Sequence, residues 1–389
     1  MRGKKINEVF KNAESFIHFS APGRINIIGE HTDYNNGYIL PATINHYINL
    51  AIRKNNTNSL RAYSQEFPGM HIYEYPLKKI CPEDGWVKYL KAVLFTLQKE
   101  VNFTDFPGLD VYVTGDIPVG AGLSSSAALE VVFLFALNEL FNLQLEPIKM
   151  AFLAQEAEND FVGVKCGIMD QFISIMGKEN HAIFLDIRTM NYRYIPLYLN
   201  DYVFVLIDTS VSHSLANSEY NIRRQECEEG LKILQNCLGL DFKSISEVKL
   251  KNINRFKEKF PSNIYKRVLY VAEENLRVQE MINALRKESF NQVGQLLYNS
   301  HNGLKYLYEV SCPELDLIVD YLKASEGVVG ARMMGGGFGG CVLALLEKNN
   351  VNKLFSLIKN KYSVVFHKSP RLFPVTITSG IAKETNYKT

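Results

Sequence analysis

Residues 118–140 read PVGAGLSSSAALEVVFLFALNEL, and no other stretch restricts the fold as much. Leu129, Val132, Phe133, Ala136, Leu137 and Leu140 recur at helical spacing on one face, while Val131, Leu134 and Phe135 cover the others. A helix apolar on nearly every side must be enclosed, so the chain needs other elements to wrap it. Its 389 residues, against the roughly 150 of a typical domain, allow two large domains. A formal charge of +2 is too small to track a nucleic-acid backbone. No apolar run approaches the roughly 18 residues of a membrane span. The N-terminal MRGKKINEVFKNAESF is basic but lacks the apolar centre of a signal peptide, so a cytoplasmic location is expected. Six cysteines without a C-x-x-C pair are expected to be free, buried thiols.

The remaining pattern is mixed α/β. Strands are predicted over 38–54, 60–64, 109–115 and 181–186, with another starting at Tyr202. Helices are predicted from Pro147 to about Phe161 and over 217–235, 264–286 and 289–309. Residues 328–346 read as strand, glycine-rich loop and strand, and a final strand pair is expected within 362–382. The change from mixed to helix-rich pattern puts a domain border near residue 200, giving domains 1–200 and 201–389.

Three glycine-marked segments concentrate the polar chemistry. In Gly120-Ala121-Gly122-Leu123-Ser124-Ser125-Ser126, glycines let the backbone approach a ligand and serines supply oxygens. The helix start adds free N–H groups at the positive end of its dipole, so the segment suits an anion such as phosphate. No G-x-x-x-x-G-K-[ST] occurs, which excludes the P-loop class. The second segment, APGRINIIGEHTDYNNGY from Ala21 to Tyr38, packs Glu30, His31, Thr32 and Asp33 together, a density that suits a ligand with many hydroxyls. Its D-Y-N-N-G end is by itself a good turn. Arg24, beside Ile25, Ile27 and Ile28, would by itself be a surface charge. The third, Gly335 to Gly340, formally fits G-x-G-x-x-G, but a strand-like CVLALL follows where a dinucleotide loop needs a helix. Its glycines instead predict a backbone path close to a ligand or another loop.

Two carboxylates also stand out. Glu158 falls on the apolar face of its helix with Ala151 and Ala154, and a buried acid needs an arginine or a divalent cation. Asp170 falls off the apolar face formed by Met169, Phe172, Ile173 and Met176, in the first turn of its helix.

In this order GRINIIGEHTDYNNG, VGAGLSSSAALEV, CGIMDQF, SEYNIRRQ and GGGFGGC resemble the galactokinase branch of the GHMP small-molecule kinases over essentially the whole chain. The resemblance implies an α/β (α+β), two-domain GHMP kinase fold with the active site in the interdomain cleft. It implies ATP-dependent phosphorylation of galactose at its anomeric hydroxyl, a step of galactose catabolism. By the same resemblance Asp170 accepts the hydroxyl proton and Arg24 stabilises the phosphoryl group in transfer. Glu30, His31, Thr32, Asp33, Gly167 and Tyr220 would bind the sugar. Gly120 to Ser126 would hold the ATP phosphates, Ser64 would lie near the nucleotide, and Ser126 with Glu158 would ligate Mg2+. Galactose and ATP are the expected partners, with no nucleic acid, no membrane and no obligate protein partner. A kinase of N-acetylgalactosamine or arabinose would use the same machinery. Non-catalytic galactose and ATP sensors resemble the branch too, but their serine-rich loop is shortened, whereas GLSSSAA is complete here.

Overall fold

The apolar helix runs Ser125–Phe141, and every residue from Ala127 to Leu134 is buried, along with Ala136 and Leu137. The computed structural model describes residues 5–66, 73–76, 85–101, 107–118, 122–211 and 216–384. Helices Val87–Val101, Pro147–Glu156 and Met169–Met176 enclose the apolar helix, together with strands Ile17–Asn26 and Pro41–Lys54. These strands belong to a six-stranded sheet in the order Ala382–Glu384, Ile17–Asn26, Pro41–Lys54, Leu109–Gly115, Ser59–Ser64, Tyr73–Pro76. Its one parallel pair among the described residues is Ser59–Ser64 with Leu109–Gly115. The chain joins them through Val87–Val101, the helical crossover that parallel neighbours require. A three-stranded sheet of Tyr38–Ile39, His181–Asp186 and Asn191–Pro196 lies in the same half.

The second half is built on a four-stranded sheet in the order Val328–Met334, Cys341–Glu347, Tyr202–Asp208, Arg371–Pro374. This sheet explains why its central strands read as unbroken apolar runs. Successive side chains point to opposite faces. Phe204, Leu206, Leu343 and Leu345 join the core around the apolar helix. Val205, Ile207, Val342 and Ala344 join a second core with Val268, Tyr308 and Leu315 from the C-terminal helices. Covered on both faces, these strands have no polar side to show.

Most predicted elements are found with shifted ends: the helical tracts run Ala216–Leu238, Ser262–Arg286 and Phe290–Gly303. Two helices widen at their ends into π-turns, Ala157–Val162 and Leu304–Tyr308. The final strand pair is a correction. Val351–Phe366 is a helix, and the two strands beyond it join different sheets: Arg371–Pro374 pairs with Tyr202–Asp208, and Ala382–Glu384 pairs with Ile17–Asn26. Among the described residues no helix is long and apolar enough to cross a membrane. The five described cysteines are free, three of them buried; Cys81 lies outside the described residues.

Candidate active site

Arg24 is only 5% exposed, so it is no surface charge. The pairing of its strand with Pro41–Lys54 shifts register between Pro22 and Arg24, an irregularity of the kind that re-aims a side chain. Arg24 Nε donates to Asp170 Oδ1 at 2.9 Å, Nη2 donates to Oδ2 at 3.2 Å, and Nη1 donates to the Gly122 carbonyl. Asp170 stands in the first turn of Met169–Met176. Ser124 precedes the apolar helix at φ 62°, yet its hydroxyl does not cap that helix: it donates to Asp170 Oδ2. Strand, loop and helix therefore meet at one carboxylate.

A cavity of about 470 Å³ adjoins this junction, within the size range of small-molecule sites. Arg24, Glu30, His31, Asp33, Glu158, Gly167, Asp170 and Tyr220 line it, with Gly335 and Gly336 from the glycine loop. Glu30 receives a 2.7 Å ion pair from Arg332, a fully buried arginine of the strand Val328–Met334. Burial, then the Asp170 charge, pushes Asp33 up to about 7. Burial, then Arg223, pushes His31 down to about 3. A Cβ on Gly167 would sit 1.9 Å from Asp33 Oδ2, so glycine is required there.

Glu158 lies in the π-turn, a feature that often marks functional sites. Gln171 Nε2 donates to its Oε2 at 2.7 Å, and Ser126 Oγ donates to its Oε1 at 3.2 Å. No arginine or lysine pairs with it among the described residues. Burial, then Asp170, raises its pKa. Behind it Glu130 is wholly buried with Gln171 as its polar neighbour, and burial, then Glu158, raises its pKa strongly.

Known proteins carry the same pattern. The GHMP kinases N terminal domain matches residues 88–178, the GHMP kinases C terminal domain matches 281–364, and the galactokinase galactose-binding signature matches 6–54. A galactokinase of Thermosipho africanus is 41% identical over 364 residues, covering 93% of this chain and 98% of that one. A galactokinase of Thermotoga maritima is 44% identical over 89% of this chain and 96% of its own. The chain belongs to the galactokinase family. The crystal structure of Lactococcus lactis galactokinase complexed with galactose matches with a TM-score of 0.93 at 35% identity, covering 97% of each chain. Methanococcus jannaschii mevalonate kinase, 18% identical at a TM-score of 0.68, shares the fold.

Within this galactokinase-family site the expected residues divide. Arg24, Glu30, His31, Asp33, Glu158, Gly167, Asp170 and Tyr220 share the cavity, and Gly122, Ser124 and Ser126 touch residues that line it. Thr32 does not line it: its hydroxyl lies 2.8 Å from the Gly29 carbonyl and 2.7 Å from the Tyr38 carbonyl, shares its one proton between them, and locks the turn. Ser64 ends the strand Ser59–Ser64, accepts the Glu66 N–H at 3.2 Å, and is absent from the cavity lining. Leu123 is buried in the core, and Ser125 opens the helix. Gly120 and Ala121 lie outside the described residues. Sequence reasoning missed Arg332, Gln171 and Glu130. Glu130 could have been found, as the lone acid in an otherwise apolar helix stretch.

Proposed function

We propose that the chain transfers the γ-phosphoryl group of ATP to the anomeric hydroxyl of galactose, giving galactose 1-phosphate and ADP. The observation that carries this reading is Asp170, held by Arg24 and Ser124 beside a cavity that Glu30, His31, Asp33 and Tyr220 also line. The galactose-binding signature over 6–54 and the galactose-bound relative support the choice of sugar.

A carboxylate offers about four lone-pair sites. Arg24 Nε uses one on Asp170 Oδ1, while Arg24 Nη2 and Ser124 use two on Oδ2. The open site on Oδ1 is where the sugar hydroxyl donates. As that oxygen bonds to phosphorus, the bond from phosphorus to the ADP oxygen breaks and the hydroxyl proton passes to Asp170. A carboxylate is a far weaker base than an alkoxide, so the proton moves late and Asp170 also serves to orient the nucleophile. Charge in the loose transition state spreads over the equatorial phosphoryl oxygens. Arg24 and the N–H groups at the start of Ser125–Phe141 oppose it.

Mg2+ fits the donor set. Glu158 is a buried acid with no cationic side-chain partner among the described residues, its Oε1 faces the Ser126 hydroxyl, and hard cations take oxygen ligands. Among the described residues no group of three or more His, Cys, Asp or Glu could hold a metal alone. Ser126 and Glu158 would therefore hold the ion jointly with nucleotide phosphate oxygens and water, as Mg2+ sites commonly do. When bound, the ion neutralises developing phosphate charge.

In this reading residues 1–200 supply base, phosphate loop and sugar segment, and 201–389 supply Tyr220 and the glycine loop. The free thiols of the five described cysteines support a reducing, cytoplasmic setting. A coupled assay of ADP release over a panel of sugars tests the assignment. Galactose is expected to turn over best, with no protein partner added. Equal or faster turnover of N-acetylgalactosamine or arabinose would overturn the sugar, and no turnover at all would leave a sensor.

A further inference from the structure

His31 ends a hydrogen-bonded line that runs from the cavity into the second core. Its Nδ1 lies 2.7 Å from Tyr34 Oη, Tyr34 Oη lies 2.8 Å from Tyr308 Oη, and Tyr308 Oη lies 3.2 Å from Cys227 Sγ. Tyr308 is fully buried and Cys227 is 1% exposed. The rings of Tyr308 and Tyr220 hold the imidazole at centroid distances of 4.8 and 5.5 Å. His31 Nε2 is buried and makes no well-formed hydrogen bond to the protein; the Gly336 backbone, which also lines the cavity, interacts with the ring and favours its protonated form. The phosphoryl transfer derived above uses neither Tyr34, Tyr308 nor Cys227.

We propose that Cys227, Tyr308 and Tyr34 are positioning residues that hold His31 in its Nε2–H tautomer, so that it offers a hydrogen-bond donor to a sugar hydroxyl. The proposal rests on the galactose-kinase reading for its ligand, and the tautomer itself does not. Each hydroxyl or thiol of the line carries one proton. Sulfur is a weak acceptor, so the Tyr308 proton is better placed on Tyr34 Oη than on Cys227. The thiol proton then goes to Tyr308 Oη, and the Tyr34 proton has His31 Nδ1 as its acceptor. A neutral imidazole that accepts at Nδ1 carries its proton at Nε2. Burial, then Arg223, keeps the ring neutral down to about pH 3, so the line is not broken by a second ring proton. Glu30 lines the same cavity and can only accept when ionised. A donor on His31 supplies the opposite polarity, and a sugar hydroxyl can use both.

Long-range 1H–15N correlation on protein carrying 15N-histidine reads the tautomer directly, with His31→Gln assigning the signals. The expected result is Nε2–H in the wild-type protein. In Tyr34→Phe the ratio should shift toward Nδ1–H by roughly fivefold, the worth of one net hydrogen bond. Tyr34→Phe and Tyr308→Phe each delete one oxygen, and each should raise the KM for galactose roughly three- to tenfold, by more than kcat falls and without moving the KM for ATP. Cys227→Ala should act in the same direction, and Cys227→Ser, which keeps a donor, should restore the wild-type value. An Nδ1–H tautomer in the wild type would overturn the proposal, as would unchanged galactose KM in both tyrosine variants. Absence of galactose turnover in the wild type would sink the assigned reaction instead, and the nitrogen spectrum would still judge the line.

Discussion

Asp170→Asn keeps the size of the side chain and puts an amide NH2 where Arg24 and Ser124 now donate to carboxylate oxygens. The variant is expected to fold, with an unchanged circular dichroism spectrum, and to lose more than about tenfold in kcat, over 1.4 kcal/mol of barrier. Retention of more than a tenth of the rate would remove Asp170 from the mechanism. Glu158→Gln addresses the metal: the Mg2+ concentration for half-maximal rate should rise by about tenfold or more, as expected for loss of a charged oxygen ligand. An unchanged titration would strike Glu158 from the ligands. At this scale the sequence was informative where residue type and neighbours carried the signal, as for Asp170 in its first helical turn. It was silent on Arg332, because the meaning of that charge lies in Glu30, about three hundred positions away.

The glycine loop shows what an element adds beyond its residues. Gly335, Gly337, Gly339 and Gly340 all have positive φ, and the strand after the loop returns antiparallel to the one before it. Gly337 has φ +85°, and a Cβ there would lie 2.2 Å from the Val310 carbonyl oxygen. Gly337→Ala should therefore lose about 1–2 kcal/mol from backbone conformation alone, and more from displacement of Val310. A thermal melt should show a fall in Tm of at least a few degrees; an unchanged Tm would mean the loop relaxes freely. Glycine density in the sequence announced such a path but not which chain it passes. The π-turn holding Glu158 had no signal either, since a single widened turn leaves the apolar spacing nearly intact. The error at 362–366 has a local cause. Tyr-Ser-Val-Val-Phe favours a strand, yet it closes the helix Val351–Phe366, whose buried Val351, Leu354, Ile358 and Tyr362 hold it to helical spacing.

Across the whole molecule, the cavity makes stability depend on pH through its buried acids. Asp33 titrates near 3.8 in an unfolded chain and near 7 in the folded one, so folding favours its protonated form. That contribution is complete below about pH 4 and is lost as the pH rises to about 7, at a cost of the order of a few kcal/mol. Asp33→Asn stays neutral throughout, so its stability relative to the wild type in urea unfolding should be higher at pH 8 than at pH 5, the wild type losing most of the Asp33 contribution between those values. An equal gap at both values would show that Asp33 is not held neutral. The sequence by itself determined the enclosed helix, the phosphate-type loop ahead of it, the polar sugar-type segment and the family, because each is a matter of residue types at short spacing. Tertiary structure alone decided that one sheet serves two cores, that Ala382–Glu384 closes the first sheet against Ile17–Asn26, and that Arg332 and Tyr308 reach across to Glu30 and, through Tyr34, His31. Those contacts join segments hundreds of residues apart, and their free energy depends on how every intervening element packs, which no local spacing can encode.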